Sequence, residues 1–364
     1  MTSYRAGVIG LGRMGWLYDA SIPYPPSVRD EVGAPTDLPP LRDRPDPLPT
    51  EHPGKEGLPS SYAGALRLHP QTELVAGCDP SEERLAAFGQ HYGVKALYTD
   101  YRELLTKERL DLVAIASHAA MRPDATALAV ESGAKAIMTE KPMARTLAEA
   151  DRMVEVCAQA GVPLACGAIS VNHPAFVQAK KLLTDGTLGT ILSMETSRVM
   201  AQHNPWIYLI DSPAEWVVGV TGDVDSVRNN GEFDGAGLIQ FASGLKGLLR
   251  PGAPRVRITG DRGELLLDWR RFQLWLDTDG PAGTERVEMP FPEPQMPGEW
   301  SILYGVDDVI HCREQGGEPR VSGRRVREAM EIQIGLRESH RAGNVKVKLP
   351  LPDRSLGMVY EWFR

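Results

Sequence analysis

The first half of the chain alternates two kinds of apolar pattern. Short unbroken apolar runs, bounded by glycine, proline or charge, predict buried strands over 5–9, 73–78, 96–97, 112–116, 136–139 and 163–167. Between them, apolar residues recurring at helical spacing predict helices over 14–20, 60–69, 81–92, 101–107, 122–132 and 147–160. Continuous apolar strands are covered on both faces, and a strand–helix rhythm builds a parallel, doubly wound sheet. Beyond residue 170 the period shortens. After a helix over 175–185, apolar and polar residues alternate over 191–199, 237–241, 245–250, 256–259, 264–269, 273–277 and 286–289. Turns at Asn229-Asn230-Gly231, Asp261-Arg262-Gly263 and Asp279-Gly280 punctuate them, which predicts an antiparallel sheet. Helices over 301–315 and 323–342 are expected to cover one face of it. The fold class is therefore α/β: a doubly wound N-terminal domain over 1–168, then an α+β domain over 169–364 with a large open, mainly antiparallel sheet.

One segment breaks the pattern. Over 22–59 prolines, glycines and charges crowd together, and no core helix survives such a composition. A solvated surface insertion is the plain account, and a substrate lid or partner arm the alternative.

Length and composition narrow the class. A chain of 364 residues exceeds one ordinary core, and 42% hydrophobic with 24% charged residues is the balance of a globular protein. The formal net charge of −8, with no dense Lys/Arg run, excludes nucleic acid as the expected partner. Cys78, Cys157, Cys166 and Cys312 lie far apart without metal-ligand spacing, so they are expected as buried thiols, with no disulfide framework and no metal site. No stretch approaches the roughly 18 apolar residues of a membrane span, and no signal-peptide pattern opens the chain, so a cytoplasmic location is expected.

The candidate chemistry begins at the first strand. Gly10, Gly12 and Gly15 follow it as G-L-G-R-M-G. In a strand-to-helix turn the first glycine permits the bend, the second lets backbone approach a pyrophosphate, and the third lets helix pack on strand; the helix N-terminus then offers free N–H groups to the anion. Arg13 and Met14 belong to the same turn. Such a site also needs an acid at the end of the second strand, to accept from the ribose hydroxyls and repel a 2′-phosphate. Asp79 stands there, at the usual spacing of about 20 residues once the insertion is set aside. No arginine immediately follows it, which favours NAD over NADP. Ligands of doubly wound sheets sit beyond the carboxyl ends of the strands. Ala116-Ser117-His118 and Glu140-Lys141-Pro142 occupy two of those ends, which makes Ser117, His118 and Glu140 cofactor-binding candidates together with Lys141.

With E-K-P followed by M-A-R-T-L-A-E-A-D, the glycine turn, the acid at 79 and T-D-Y-R-E-L-L over 99–105, the chain resembles the glucose-fructose oxidoreductase / inositol dehydrogenase (Gfo/Idh/MocA) family. E-P-R-V-S-G-R-R-V-R-E-A-M-E-I over 318–332 and V-K-L-P-L over 347–351 resemble its closing helix and tail. The resemblance spans nearly the whole chain apart from the insertion. It implies a Rossmann domain followed by an open-sheet domain, a bound nicotinamide cofactor, a sugar or polyol as hydride donor, and a homo-oligomer, dimer or tetramer, paired through the open sheet. Read from its own chemistry, Lys141 at a strand end beside Glu140 can polarise a substrate hydroxyl, stabilise an alkoxide, or lower the pKa of a nearby base. A surface Glu–Lys pair is the alternative.

The remaining catalytic groups depart from the family pattern, which places D-x-x-x-H-x-x-D before a W-x-x-G helix with the histidine as general base. The corresponding stretch runs from Asn204 to Asp211 and leads to Trp216-Val217-Val218-Gly219, so that Asn204 stands for the first aspartate, Tyr208 for the histidine and Asp211 for the last acid. Either Tyr208 takes the proton, with its pKa of about 10 lowered by Lys141, or His203 supplies an imidazole. Gln202, Asn204, Trp206, Asn172 and His173 are substrate-binding candidates, polar where a sugar needs donors and acceptors. The family's arginine after E-K-P is replaced by Ser170 or Val171, which puts its usual substrate in doubt. Three functions follow: NAD-dependent oxidation of a sugar, polyol or glycoside hydroxyl; redox-neutral glycoside cleavage or sugar isomerisation with transiently reduced NAD; and a non-catalytic cofactor-binding sensor.

Overall fold

The structure is a computed structural model that describes residues 3–17, 19, 59–167, 169–172, 174–197, 206–253, 255–268, 271–281, 283–292 and 302–359. The expected insertion over 22–59 lies outside the described residues except at Pro59.

Six parallel strands, β1 (Tyr4–Ile9), β2 (Thr72–Cys78), β3 (Ala96–Tyr98), β4 (Leu112–Ile115), β5 (Ala136–Thr139) and β6 (Leu164–Cys166), form the first sheet in the order β3-β2-β1-β4-β5-β6. The order reverses between β1 and β4, which opens a crevice at their carboxyl ends. Between the strands run α1 (Tyr62–Leu68), α2 (Glu82–Tyr92), α3 (Tyr101–Glu108), α4 (Arg122–Glu131) and α5 (Leu147–Ala160). Side chains cap four of them: Ser61, Ser81, Asp100 and Thr146 accept from amides in the first turns of α1, α2, α3 and α5.

After α6 (Pro174–Thr184) comes a nine-stranded sheet built from β7 (Ile191–Thr196), β8 (Ala214–Val220), β9 (Ala236–Phe241), β10 (Lys246–Leu249), β11 (Val256–Gly260), β12 (Gly263–Asp268), β13 (Arg271–Gly280), β14 (Gly283–Met289) and β15 (Val347–Lys348). Its order is β14-β13-β12-β11-β7-β10-β9-β8-β15, antiparallel throughout except for the parallel β7–β10 pair. The short helices α7 (Trp206–Ile210) and α8 (Val224–Arg228) flank β8, and α9 (Leu303–Gln315) and α10 (Gly323–Arg341) precede β15. α10 serves both sheets: Val326, Met330 and Ile334 belong to the apolar cluster of the first, and Ala329, Ile332 and Leu336 to that of the second.

Three expectations need correction. Instead of a helix over 14–20 there is a single wide turn, Arg13–Leu17, in which the Trp16 and Leu17 amides share the Gly12 carbonyl at 3.1 and 3.3 Å. The turn buries the Trp16 ring edge-on against Phe88; Tyr18 and Ala20 lie outside the described residues. Trp216 to Gly219 is not a helix but part of β8, where aromatic and β-branched residues alternate between a buried and an open face. Finally, α9 does not cover the second sheet. Its Val306, Val309 and Ile310 pack with Ala6, Val8, Ala114 and Met138 of the first, because its apolar stripe matches that continuous apolar surface.

Candidate active site

The three glycines of the first turn have three different surroundings. Gly10 has φ +90°, and a Cβ there would lie 2.7 Å from the Ser117 amide nitrogen. At Gly15 a Cβ would lie 2.0 Å from the Gly10 carbonyl oxygen. Gly12 alone faces open space, with nothing within 4 Å of a Cβ position. Two glycines are thus required by close packing and the middle one by whatever approaches from outside, which is the division of labour a pyrophosphate cradle needs.

The rim of this cradle is polar. Asp79 is 3% exposed; its Oδ2 accepts from the Leu11 amide at 2.8 Å and its Oδ1 from the Ser81 amide at 3.0 Å. Arg84, in the first turn of α2, reaches to 3.5 Å from the same carboxylate, so an arginine does stand beside the acid although none directly follows it in sequence. Arg13 Nη2 and Ser117 Oγ are buried without a hydrogen-bond partner among the described residues. Orphaned donors beside an open glycine are what a dinucleotide phosphate would satisfy, so the residues fit a nicotinamide dinucleotide. Met14 packs against the apolar core, and His118 is exposed, its carbonyl accepting from Met121 N–H at 3.0 Å.

Glu140-Lys141-Pro142 is held from beneath. Glu140 is 3% exposed; its Oε1 accepts from the Tyr62 hydroxyl at 3.1 Å and its Oε2 from the Lys141 amide at 2.8 Å. Arg122, 1% exposed, donates to the carbonyls of Glu140 (2.6 Å), Ser117 (2.5 Å) and Pro142, tying the ends of β4 and β5 together. Burial raises the Glu140 carboxyl above its ordinary range, against the pull of Lys141 and Arg122. Burial lowers the Lys141 amine; Arg122 and Arg13 act with it, while Glu140 and Glu232 oppose it. Arg13 of the glycine turn and Glu232 of the second domain thus both act on the lysine, which stands where cradle and second domain meet.

Tyr62, Arg122 and Glu232 were not foreseen. Arg122 carried a signal: a cation in the first turn of a helix opposes the dipole there and implies a local partner. Tyr62 and Glu232 carried none, since Tyr62 meets Glu140, and Glu232 acts on Lys141, only through the tertiary structure.

On the second domain, Asn172 is buried and its Oδ1 accepts from Arg320 at 3.3 Å; Arg320 pairs with Asp308 at 3.2 Å. Two cations stand over the Tyr208 ring, Lys180 at 5.9 Å and Arg325 at 5.7 Å from its centroid. Its phenol is raised, not lowered: burial dominates, Arg320 and Arg325 pull it down, and Asp308 and Asp211 push it up. Lys141 is not among the largest of these influences. Asp211, at φ 54°, ends α7 and accepts from Arg325 at 3.1 Å, with Arg324 at 3.5 Å. Burial would raise its carboxyl, but Arg325, Lys180 and Arg324 hold it below the ordinary range. His173, Gln202, His203 and Asn204 lie outside the described residues, and Trp206 is described by its backbone alone.

Residues 57–168 match the model of an oxidoreductase family with an NAD-binding Rossmann fold, Gfo/Idh/MocA. Over 118 residues the chain is 42% identical to a D-apiose dehydrogenase of Paraburkholderia graminis, a stretch covering 32% of this chain and 31% of that protein. It is 29% identical over 125 residues to a 2,7-anhydro-N-acetylneuraminate hydratase of Mediterraneibacter gnavus, covering 34% of this chain and 32% of that one. The chain thus spans about a third of the length of these curated relatives. An oxidoreductase of Agrobacterium radiobacter, solved with NAD+, L-tartaric acid and magnesium, shares the fold over 95% of this chain and 98% of its own, at TM-score 0.64 and 16% identity. Over its nucleotide-binding domain the chain is thus similar to the Gfo/Idh/MocA family of NAD-binding oxidoreductases.

Proposed function

We propose that the protein is an NAD-dependent oxidoreductase acting on a hydroxyl of a sugar, polyol or glycoside, with Lys141 as the cation at the reacting centre. The observation that carries this reading is the place of Lys141: half-buried, electrostatically coupled to Arg13 of the glycine turn, and faced by Glu232 of the second domain. When bound, the nicotinamide supplies a two-electron acceptor for the hydride of a carbinol C–H. Asp79 holds the ribose and favours NAD over NADP, with Arg84 alongside as the group that tempers that preference. Lys141, partly desolvated by burial, polarises the hydroxyl and steadies the charge on its oxygen. The proton goes to a base from the second domain, Tyr208 or His203; burial raises the Tyr208 phenol, and an imidazole is the commoner general base. Asn172, His173, Gln202, Asn204 and Trp206 remain the proposed sugar contacts.

The test is a panel of aldoses, polyols and glycosides assayed for NADH formation by the full chain and by Lys141→Ala, with NAD binding titrated in both. Turnover that survives in Lys141→Ala with NAD still bound would sink the reading. A second reading, redox-neutral glycoside cleavage or isomerisation, is favoured by the relative named as a hydratase; it predicts sugar consumed without net NADH. Oligomer formation belongs to the same proposal. On the open face of the second sheet, Val220 (49% exposed) and Leu248 (40%) stand near Trp216, Val218 and Leu238, an apolar patch suited to a second copy. The buried free thiols are consistent with a cytoplasmic location.

A further inference from the structure

We propose that Tyr62 is a positioning residue for Lys141, acting through Glu140: its hydroxyl holds the buried carboxylate in the orientation and charged form that fixes the lysine. The contacts are direct. The Tyr62 hydroxyl lies 3.1 Å from Glu140 Oε1 and 3.0 Å from the Thr139 carbonyl oxygen, while the other carboxylate oxygen accepts the Lys141 amide at 2.8 Å. Tyr62 is 1% exposed and Glu140 3%, so no solvent replaces either hydrogen bond if one is removed.

The residue is also held firmly from its own side. Tyr62 opens α1, whose cap Ser61 accepts from the Gly64 amide at 3.1 Å and donates to Asp19 at 2.5 Å. Ser61 is thus held by Asp19 directly beside Tyr62.

The charges around the pair give the contact its consequence. Glu140 faces Lys141, Arg122 and Tyr62, with Cys166 beside it; Lys141 faces Glu140, Arg122, Glu232 and Arg13. A hydroxyl donated to a buried carboxylate favours its ionised form, and the ionised carboxylate in turn favours the protonated lysine. Without the hydroxyl, Glu140 takes up a proton more readily and the lysine loses an anion that retains its own. The inference rests on the reading of Lys141 as the reacting cation.

Its test uses the full chain. The Lys141 amine is titrated by competitive acylation with acetic anhydride across pH, read by peptide mass spectrometry, beside thermal melting, NAD titration and the pH profile of kcat/KM. In Tyr62→Phe the Lys141 midpoint is expected to move to lower pH by about half a unit or more. The alkaline limb of kcat/KM should move with it, while NAD affinity stays unchanged. Glu140→Gln should displace the midpoint in the same direction, and Tyr62→Phe in that background should add nothing. A midpoint unchanged in Tyr62→Phe, or displacements that add, would overturn the inference. If Tyr62→Phe does not fold, an unchanged midpoint in Glu140→Gln does so. Full turnover in Lys141→Ala would remove the catalytic reading while leaving the titration result to decide the contact.

Discussion

Lys141 and Tyr208 are both half-buried ionisable groups, and their surroundings make opposites of them. Around Lys141 the neighbours are one buried carboxylate, two guanidinium groups and a carboxylate from the other domain, and burial tips the balance toward losing its proton. Around Tyr208 two cations lie near the ring while burial keeps the phenol protonated. The lysine stands near the glycine turn, acted on by Arg13. The tyrosine belongs to a clamp in which Asp211, Arg324, Arg325 and Glu318 join α7 to α10. A perturbed group marks chemistry only where the perturbation leaves it able to react.

The largest effect should come from Lys141→Ala, which is expected to lower kcat about a thousandfold, roughly 4 kcal/mol, with NAD affinity retained. Steady-state kinetics measure it, and a loss under tenfold would put Lys141 and Tyr208 on one footing. Arg122→Ala should lower stability by about 3 kcal/mol, since it strands the buried carbonyls of Ser117, Glu140 and Pro142. Denaturant unfolding reads that value, and a change below about 1 kcal/mol would mean water takes over the guanidinium's place. Asp79→Asn should weaken NAD about tenfold and narrow the gap to NADP, seen by titrating both cofactors.

Smaller still is Asp211→Asn, which breaks the clamp at a carboxylate 46% exposed, so screening holds the loss below about 1 kcal/mol. The sign follows from its depressed carboxyl. The stabilisation is present above the unfolded pKa of about 3.9 and disappears as pH falls through the lower folded value. Melting curves from neutral pH downward should therefore converge for the variant and the unsubstituted chain only below about pH 4. Tyr208→Phe closes the series: with the phenol raised by burial, kcat should stay within about twofold. A large fall in kcat there would restore Tyr208 as proton acceptor.

Much of the first sheet was legible because its signals are local. Unbroken apolar runs cannot face water, and three glycines at fixed spacing serve one tight turn, so β1 to β6 and Gly10, Gly12 and Gly15 stand where the pattern placed them. The second domain was legible as alternation: β7 and β9 to β14 fall within three residues of the expected bounds, while β8 and β15 were not expected as strands. The misreadings share a cause. At Trp216 to Gly219 a motif seen in other chains was given more weight than the β-branched run itself, and at α9 a helix face was assigned to the nearer sheet in sequence.

The sequence by itself determined the parallel sheet, the cradle at Gly10 to Gly15, the acid at Asp79 and the position of Lys141 at a strand end, because each follows from spacing along one segment. Tertiary structure alone decided what charge Lys141 feels and what Tyr208 can do. The first depends on Arg122 and Glu232 and the second on Arg320 and Arg325, residues distant along the chain whose effect exists only once folding removes water and brings them within reach.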